Sequence, residues 1–229
     1  MSKIKLIVLE GLDGSGKSTQ IDLLKSYFST EKIKYRYLHF PVTDSKPYGE
    51  LVSSFLRGEF GDSSSVHPQL VALLFALNRS EFHEILSGIK CDSEVILLDR
   101  YVYSNVAFQC SKVEDFEKKI CLQDWILNFE YNFLKLPKPD FSLYLDVPID
   151  FMIQNLFQTR KGRSRAYLNG QQDIHEASIS LQEKVASEYE RLVLNFKDIK
   201  KIQCFDGNGI LTPEDISSKV IKSIRTELF

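Results

Sequence analysis

The chain lacks an excess of positive charge: its 229 residues carry a formal net charge of −2. Broad binding of nucleic acid calls for a basic surface, so nucleic acid is not an expected partner, although a local basic pocket remains open. Cysteine is sparse. Cys91, Cys110, Cys121 and Cys204 make no C-x-x-C pair and fit no zinc spacing. They read as reduced thiols, which agrees with a cytoplasmic setting. No apolar run approaches the roughly 18 residues of a membrane span. The first strand pattern follows Met1 so closely that no signal peptide is expected. Internal repeats and low-complexity linkers are lacking too. His39, His67, His83 and His175 have no metal-like neighbours at fixed spacing and read as structural or surface residues. There is no G-x-S-x-G and no H-E-x-x-H.

What is present is concentrated near the start. Ile4, Leu6, Ile7, Val8 and Leu9 form an apolar, β-branched run with little alternation, which predicts a strand buried on both faces. Gly11-Leu12-Asp13-Gly14-Ser15-Gly16-Lys17-Ser18 then matches G-x-x-x-x-G-K-[ST] at every fixed position. Ile21, Leu24 and Phe28 follow at helical spacing. The chemistry needs these residue types. Glycines let the backbone approach phosphates closely, and successive N–H groups at a helix N-terminus form an anion-binding nest. Lys17 can reach the β- and γ-phosphates, and the Ser18 hydroxyl can ligate Mg²⁺. The loop predicts a bound nucleoside triphosphate; it does not say what receives the phosphate.

At 43% hydrophobic and 26% charged residues, the composition suits one α/β domain over residues 1–229. Strands are predicted over 34–40, 94–98, 141–145 and 201–205, with a turn over 206–209. Helices are predicted over 50–57, 68–86, 115–133, 149–158, 173–196 and 213–227, with Thr212 as N-cap of the last. In the helix over 68–86, Leu70, Leu73, Leu74, Leu77 and Phe82 fall near one face, and Gly88 suits its end. Strands alternating with helices imply a parallel sheet covered on both faces, with ligands at the C-terminal strand edge. The P-loop, Phe40-Pro41, Asp99-Arg100 and Asp146 all follow strands and should share that rim.

Asp99 ends an apolar strand, where a P-loop protein places its Mg²⁺ partner. Arg100 beside it can clamp a second phosphate. Phe75 and Arg79 are four apart on one helical face. By pattern alone they read as a core Phe and a solvated Arg; a base-stacking pair is the other reading. Thr159-Arg160-Lys161-Gly162-Arg163-Ser164-Arg165 carries three Arg and one Lys between two helices. In a phosphate-binding protein that placement predicts a lid, over about 158–172, that brings guanidinium groups to the transferred phosphoryl.

Taken together, EGLDGSGKSTQ (10–20), HFP (39–41), LLFALNRSE (73–81), DRYVYSNVAFQ (99–109), LPKPD (136–140) and RAYLNG (165–170) resemble the thymidylate kinases, nucleoside-monophosphate kinases of the P-loop class. The resemblance implies a five-stranded parallel sheet in the order 2-3-1-4-5, flanked by helices and carrying a short basic lid. It implies transfer of the ATP γ-phosphoryl to dTMP with Mg²⁺, giving dTDP and ADP. Gly11, Asp13, Gly14, Ser15, Gly16, Lys17, Ser18 and Thr19 would hold ATP, with Arg160 at the adenine or phosphates. Ser18 and Asp99 would serve the metal. Lys17, Asp99, Arg100, Arg163 and Arg165 would be catalytic. Asp13 would meet the acceptor sugar, Phe75 would stack on thymine, Arg79 would bond its edge and Arg100 would bind its phosphate. Phe40, Pro41, Tyr101, Ser104, Asn105, Gln109 and the lid residue Tyr167 would line the acceptor. A homodimer is implied, with the apolar surfaces of 49–56 and 68–82 available for it.

The chain departs from the family pattern twice. Gly14 stands where some members carry an Arg inside the P-loop, which assigns that charge to the lid arginines. Val42 and Thr43 replace the acidic residue and Arg common after Phe-Pro, with Lys46 as a nearby substitute for the phosphate contact. Three alternatives stay open on sequence: a kinase of broader monophosphate choice, a deoxynucleoside kinase using Glu10 as base, and a nucleotide-binding module without transfer.

Overall fold

Continuous apolar runs become the strands of one sheet because each is buried on both faces. In the computed structural model, which describes residues 4–62, 65–88, 93–158, 168 and 179–228, β1 (Lys5–Gly11) is central. β2 (Tyr35–His39), β3 (Val95–Asp99), β4 (Phe141–Asp146) and β5 (Ile199–Gln203) complete a parallel sheet in the order β2-β3-β1-β4-β5. This is the expected 2-3-1-4-5 arrangement. Register sets the site: Leu9 and His39 both align with Asp99, and Gly11 aligns with Leu145. The strand ends that carry chemistry therefore lie side by side.

The helices are α1 (Lys17–Thr30), α2 (Tyr48–Leu56), α3 (Pro68–Ser80), α4 (His83–Leu86), α5 (Val102–Cys110), α6 (Phe116–Asn128), α7 (Ile149–Gln158), α8 (Ile179–Asn195) and α9 (Pro213–Leu228). Several differ from expectation. The helix predicted over 68–86 is broken into α3 and α4 around Glu81 and Phe82. Its leucine face is only partly covered, with Leu74 against the small cluster of Val52, Phe55, Leu56 and Val71 and Phe82 against the main core. Leu70 is exposed, and the buried side carries Val71, Ala72, Ala76, Asn78 and Arg79. α5 has no counterpart among the predicted helices. All nine of its residues are buried, so it shows no polar face and no 3.6-residue period. The segment over 115–133 winds its last five residues, Phe129–Phe133, as a π-helical turn. Trp125, Phe129 and Phe133 stack in series along it, with ring centroids 5.1 and 5.3 Å apart. The last strand lies two residues earlier than predicted, and a short β6–β7 hairpin (Phe205–Asp206 and Gly209–Ile210) follows it. Thr212 caps α9 as expected, its Oγ1 accepting from Asp215 N at 3.1 Å.

The main core runs through the sheet and α1, α5, α6, α7, α8 and α9. A smaller cluster of Val52, Phe55, Leu56 and Val71 joins α2 to α3, with Phe75 packed against it. Among the described residues no helix is long and apolar enough to cross a membrane.

Candidate active site

The P-loop turns from β1 into α1 through Gly14 at φ +76° and Gly16 at φ +85°, a left-handed region that an L side chain rarely adopts. A Cβ on Gly14 would lie 2.7 Å from the backbone oxygen of Met152 in α7. Asn155 of the same helix donates from Nδ2 to Gly14 O at 2.9 Å. The loop is thus packed against the helix that leads toward 159–167. Lys17 donates from Nζ to Leu12 O at 2.6 Å and Gly11 O at 3.3 Å. Burial, then the positive charge of Arg100, lowers Lys17 to about 8, against the opposing charges of Asp99, Asp13 and Glu10. Ser18 and Thr19 are exposed at the start of α1, while Ser15 is buried.

Asp99 ends β3. Its Oδ2 lies 3.2 Å from Nδ1 of His39, the residue aligned with it on β2. Burial pushes the carboxyl up, but the His39 hydrogen bond and the nearby charges of His39, Lys17 and Arg100 outweigh it and hold Asp99 below the usual carboxylate range. Its Oδ1 is buried with no hydrogen-bond partner among the described residues. His39, read from sequence as structural or surface, therefore belongs to this site; the contact depends on strand register, which local sequence does not show.

Arg100 sits at φ +67°, an uncommon conformation for a non-glycine residue. The turn brings its guanidinium back over the P-loop. Nη1 donates to Gly11 O at 2.8 Å and Ser104 Oγ at 3.2 Å, and Nη2 donates to Asp13 Oδ1 at 2.6 Å. Burial opposes its charge, yet the surrounding acidic groups, Asp13 foremost, raise its pKa. Asp13 also accepts from Gln182 Nε2 at 3.2 Å, a contact from α8 with no local sequence signal.

Behind Arg100, Glu10 is fully buried. It accepts from Tyr101 N at 3.0 Å and Tyr189 OH at 3.0 Å, and from the Ser104 hydroxyl. Burial pushes its carboxyl up despite these bonds. Glu10 and Ser104 thus face each other in the interior, and Glu10 is not placed as a base for an acceptor hydroxyl. Tyr101 turns its hydroxyl to Pro137 O at 3.0 Å, and Gln109 Oε1 accepts from Lys112 Nζ at 3.1 Å.

On the α3 side, Phe40 is buried and meets Phe82 edge to face at 5.7 Å. After Pro41, Val42 N donates to Asn78 Oδ1 and Val42 O accepts from Asn78 Nδ2, each at 2.9 Å. Lys46 is 77% exposed and pairs with Glu50 at 2.9 Å, so its contact is with the surface. Phe75 is half-buried and packs edge to face on Phe55 at 6.2 Å. Arg79 is not solvated, as its pattern alone suggested. It is buried in a two-point pair with Glu130. Asn105 donates to the same carboxylate at 2.9 Å. Arg160, Arg163, Arg165 and Tyr167 lie outside the described residues, as does Cys91.

The phosphate loop, the Asp99 carboxylate and an arginine that joins Gly11 and Asp13, at the edge of a 2-3-1-4-5 sheet, define a P-loop nucleotide kinase. Residues 9–204 match the thymidylate kinase family model, and the chain belongs to that family. It is 30% identical over 224 residues to a probable thymidylate kinase of Pyrococcus horikoshii, covering 97% of this chain and 96% of that one. It is 31% identical over 189 residues to the thymidylate kinase of Mycobacterium tuberculosis, covering 82% and 85% respectively. The solved thymidylate kinase of Candida albicans superposes with a TM-score of 0.72 at 25% identity, over 99% of this chain and 94% of that one.

Proposed function

We propose that this protein transfers the γ-phosphoryl of ATP to the 5′-phosphate of dTMP, giving dTDP and ADP. The observation that carries the reading is the pair of cations on one loop: Lys17 and Arg100 both bond the carbonyl of Gly11. A donor triphosphate needs the first; the second answers an acceptor that is itself a phosphate. Because that acceptor is already an anion, no strong base is required, and catalysis rests on positioning and charge neutralisation. Asp13, held between Arg100 and Gln182, is the proposed link to the acceptor sugar. Mg²⁺ fits the residues present: the Ser18 hydroxyl and the buried Asp99 oxygen are hard ligands of the kind it takes. When bound it would neutralise phosphate charge. A coupled ADP-release assay with a panel of monophosphates and nucleosides tests the reading. Turnover that depends on dTMP is expected. Consumption of thymidine instead, or ATP binding without turnover, would overturn it.

Two further predictions belong here. Phosphate binding favours protonated Lys17, which titrates at about 8. ATP affinity should therefore fall as pH rises through 8, by up to ~10-fold at pH 9, with a proton taken up on binding. Calorimetry in buffers of different ionisation enthalpy measures both; a flat affinity from pH 7 to 9 contradicts the assignment. The second concerns the lid. Since the loop position at Gly14 carries no charge, Arg163 and Arg165 are proposed to stabilise the transferred phosphoryl, with Arg160 at the nucleotide and Tyr167 over the acceptor. Arg163→Ala or Arg165→Ala should lower kcat by ~10-fold or more, about 1.4 kcal/mol, with a smaller change in acceptor KM.

A homodimer is the proposed assembly. The exposed Leu51 of α2 and Leu70 of α3 give neighbouring helices an apolar outer face. Light scattering behind size exclusion reads the mass directly. A cytoplasmic location accords with the sparse cysteines.

A further inference from the structure

Glu130 is an isolated acid in an aromatic stretch, and it is buried completely. A lone carboxylate is costly to bury unless it is paired and hydrogen-bonded. Three donors surround it. Arg79 Nε reaches Oε2 at 2.6 Å, Arg79 Nη2 reaches Oε1 at 2.6 Å, and Asn105 Nδ2 reaches Oε1 at 2.9 Å. Those contacts join three separate elements: α3, α5 and the π-helical turn that carries Glu130.

The geometry fixes more than charge. Glu130 grips one edge of the Arg79 fork through Nε and Nη2, which leaves Nη1 for another acceptor. Asn105 Nδ2 also donates to Ala72 O at 3.0 Å. Both of its neighbours on that side are acceptors, so its amide nitrogen must face them. Its Oδ1 is then turned away, buried and without a partner among the described residues. A buried acceptor left unmatched is costly, so a ligand donor that reaches it is favoured. Phe75 stands one helical turn before Arg79 on α3. The site thus offers one donor, one acceptor and an aromatic ring. The 4-oxo and N3–H groups of thymine present the complementary acceptor and donor; the 4-amino and N3 of cytosine present the reverse.

Resting on the proposed function, we infer that Glu130 is the positioning residue that sets acceptor-base choice, by locking the Arg79 fork and the Asn105 amide in the orientation a 4-oxo pyrimidine requires. It touches no substrate. Its removal leaves Ala72 O, among the described residues, as the one acceptor that still orients the Asn105 amide and releases the Arg79 fork, so the pattern a 4-oxo pyrimidine requires is held less firmly.

The test is Glu130→Gln, which keeps shape and loses charge, with Glu130→Asp as the charge-keeping control. Steady-state kinetics would be run with dTMP and dCMP, together with calorimetric dTMP and ATP binding and thermal melting. For Glu130→Gln the expected result is a rise in dTMP KM of at least ~10-fold with kcat changed less. The dTMP-over-dCMP ratio of kcat/KM should fall by at least ~10-fold, and ATP affinity should stay within ~2-fold. Glu130→Asp should recover part of the selectivity. An unchanged ratio, or an equal loss for dTMP, dCMP and ATP alike, overturns the inference and leaves Glu130 a folding residue only. If the wild type neither binds nor turns over dTMP, the acceptor reading itself fails. If it does both and Glu130→Gln is indifferent, only the role of Glu130 fails.

Discussion

Arg100→Ala is expected to lower kcat/KM for the acceptor by about 100- to 1,000-fold, roughly 3–4 kcal/mol of transition-state stabilisation. The size follows from what the side chain holds. Its guanidinium is buried, and it bonds Gly11 O, Ser104 Oγ and Asp13 Oδ1 at once. Removing it takes a cation from the proposed phosphate site, and it also takes the Arg100 ion pair from the partly buried Asp13. Arg100→Lys should rescue poorly, because an ammonium cannot serve three acceptors from one planar fork. A second readout separates a local loss from a general one. Arg100 is the largest charge effect holding Lys17 near 8. Without it Lys17 should titrate higher, so the fall in ATP affinity should move to higher pH in Arg100→Ala. If the acceptor kinetics change and that pH profile does not, the electrostatic link between the two residues is wrong.

Gly14→Arg, which installs the loop arginine carried by some family members, is expected to disable this chain. The backbone there is at φ +76°, and any Cβ would fall 2.7 Å from Met152 O and 3.2 Å from Leu156 Cγ. Backbone strain and overpacking together should cost about 3 kcal/mol, which lowers Tm by roughly 6–12 °C in a chain of this size. Relief requires α7 to move away, and that breaks the Asn155–Gly14 bond. Turnover should fall by ~100-fold or more, with Gly14→Ala showing the strain without the charge. Thermal melting and kinetics on both variants check this. A well-folded, active Gly14→Arg enzyme would show that α7 yields easily and that the loop tolerates a charge of its own.

The strands were legible because burial on two faces leaves continuous apolar runs, as in Leu6–Leu9 and Val95–Leu98. Their order was legible only through the family resemblance. α5 was hidden for the opposite reason: a helix buried on every side has no polar face to mark its period. Leu70 of α3 misled because apolar spacing shows a face without showing what it meets: Leu74 packs on the α2–α3 cluster while Leu70 meets solvent. Within the site, Lys17, Asp99 and Arg100 sit at strand and loop ends that sequence can locate. His39 against Asp99, Gln182 against Asp13 and Glu130 against Arg79 are contacts across elements. Each depends on register or helix packing, and nothing local announces it. The one available hint was a single acid, Glu130, among Trp125, Phe129, Tyr131 and Phe133.

Arg79 and Glu130 stand 51 positions apart in the chain, yet inheritance must treat them as a unit. A neutral residue at either position strands the other's charge in the interior, at about 3–5 kcal/mol, a large share of the 5–15 kcal/mol that holds an ordinary domain together. Single charge-removing steps at these two sites therefore draw heavily on the stability of the fold. A lineage that removes this pair keeps most of its stability by changing both positions nearly together, or by first gathering stability elsewhere.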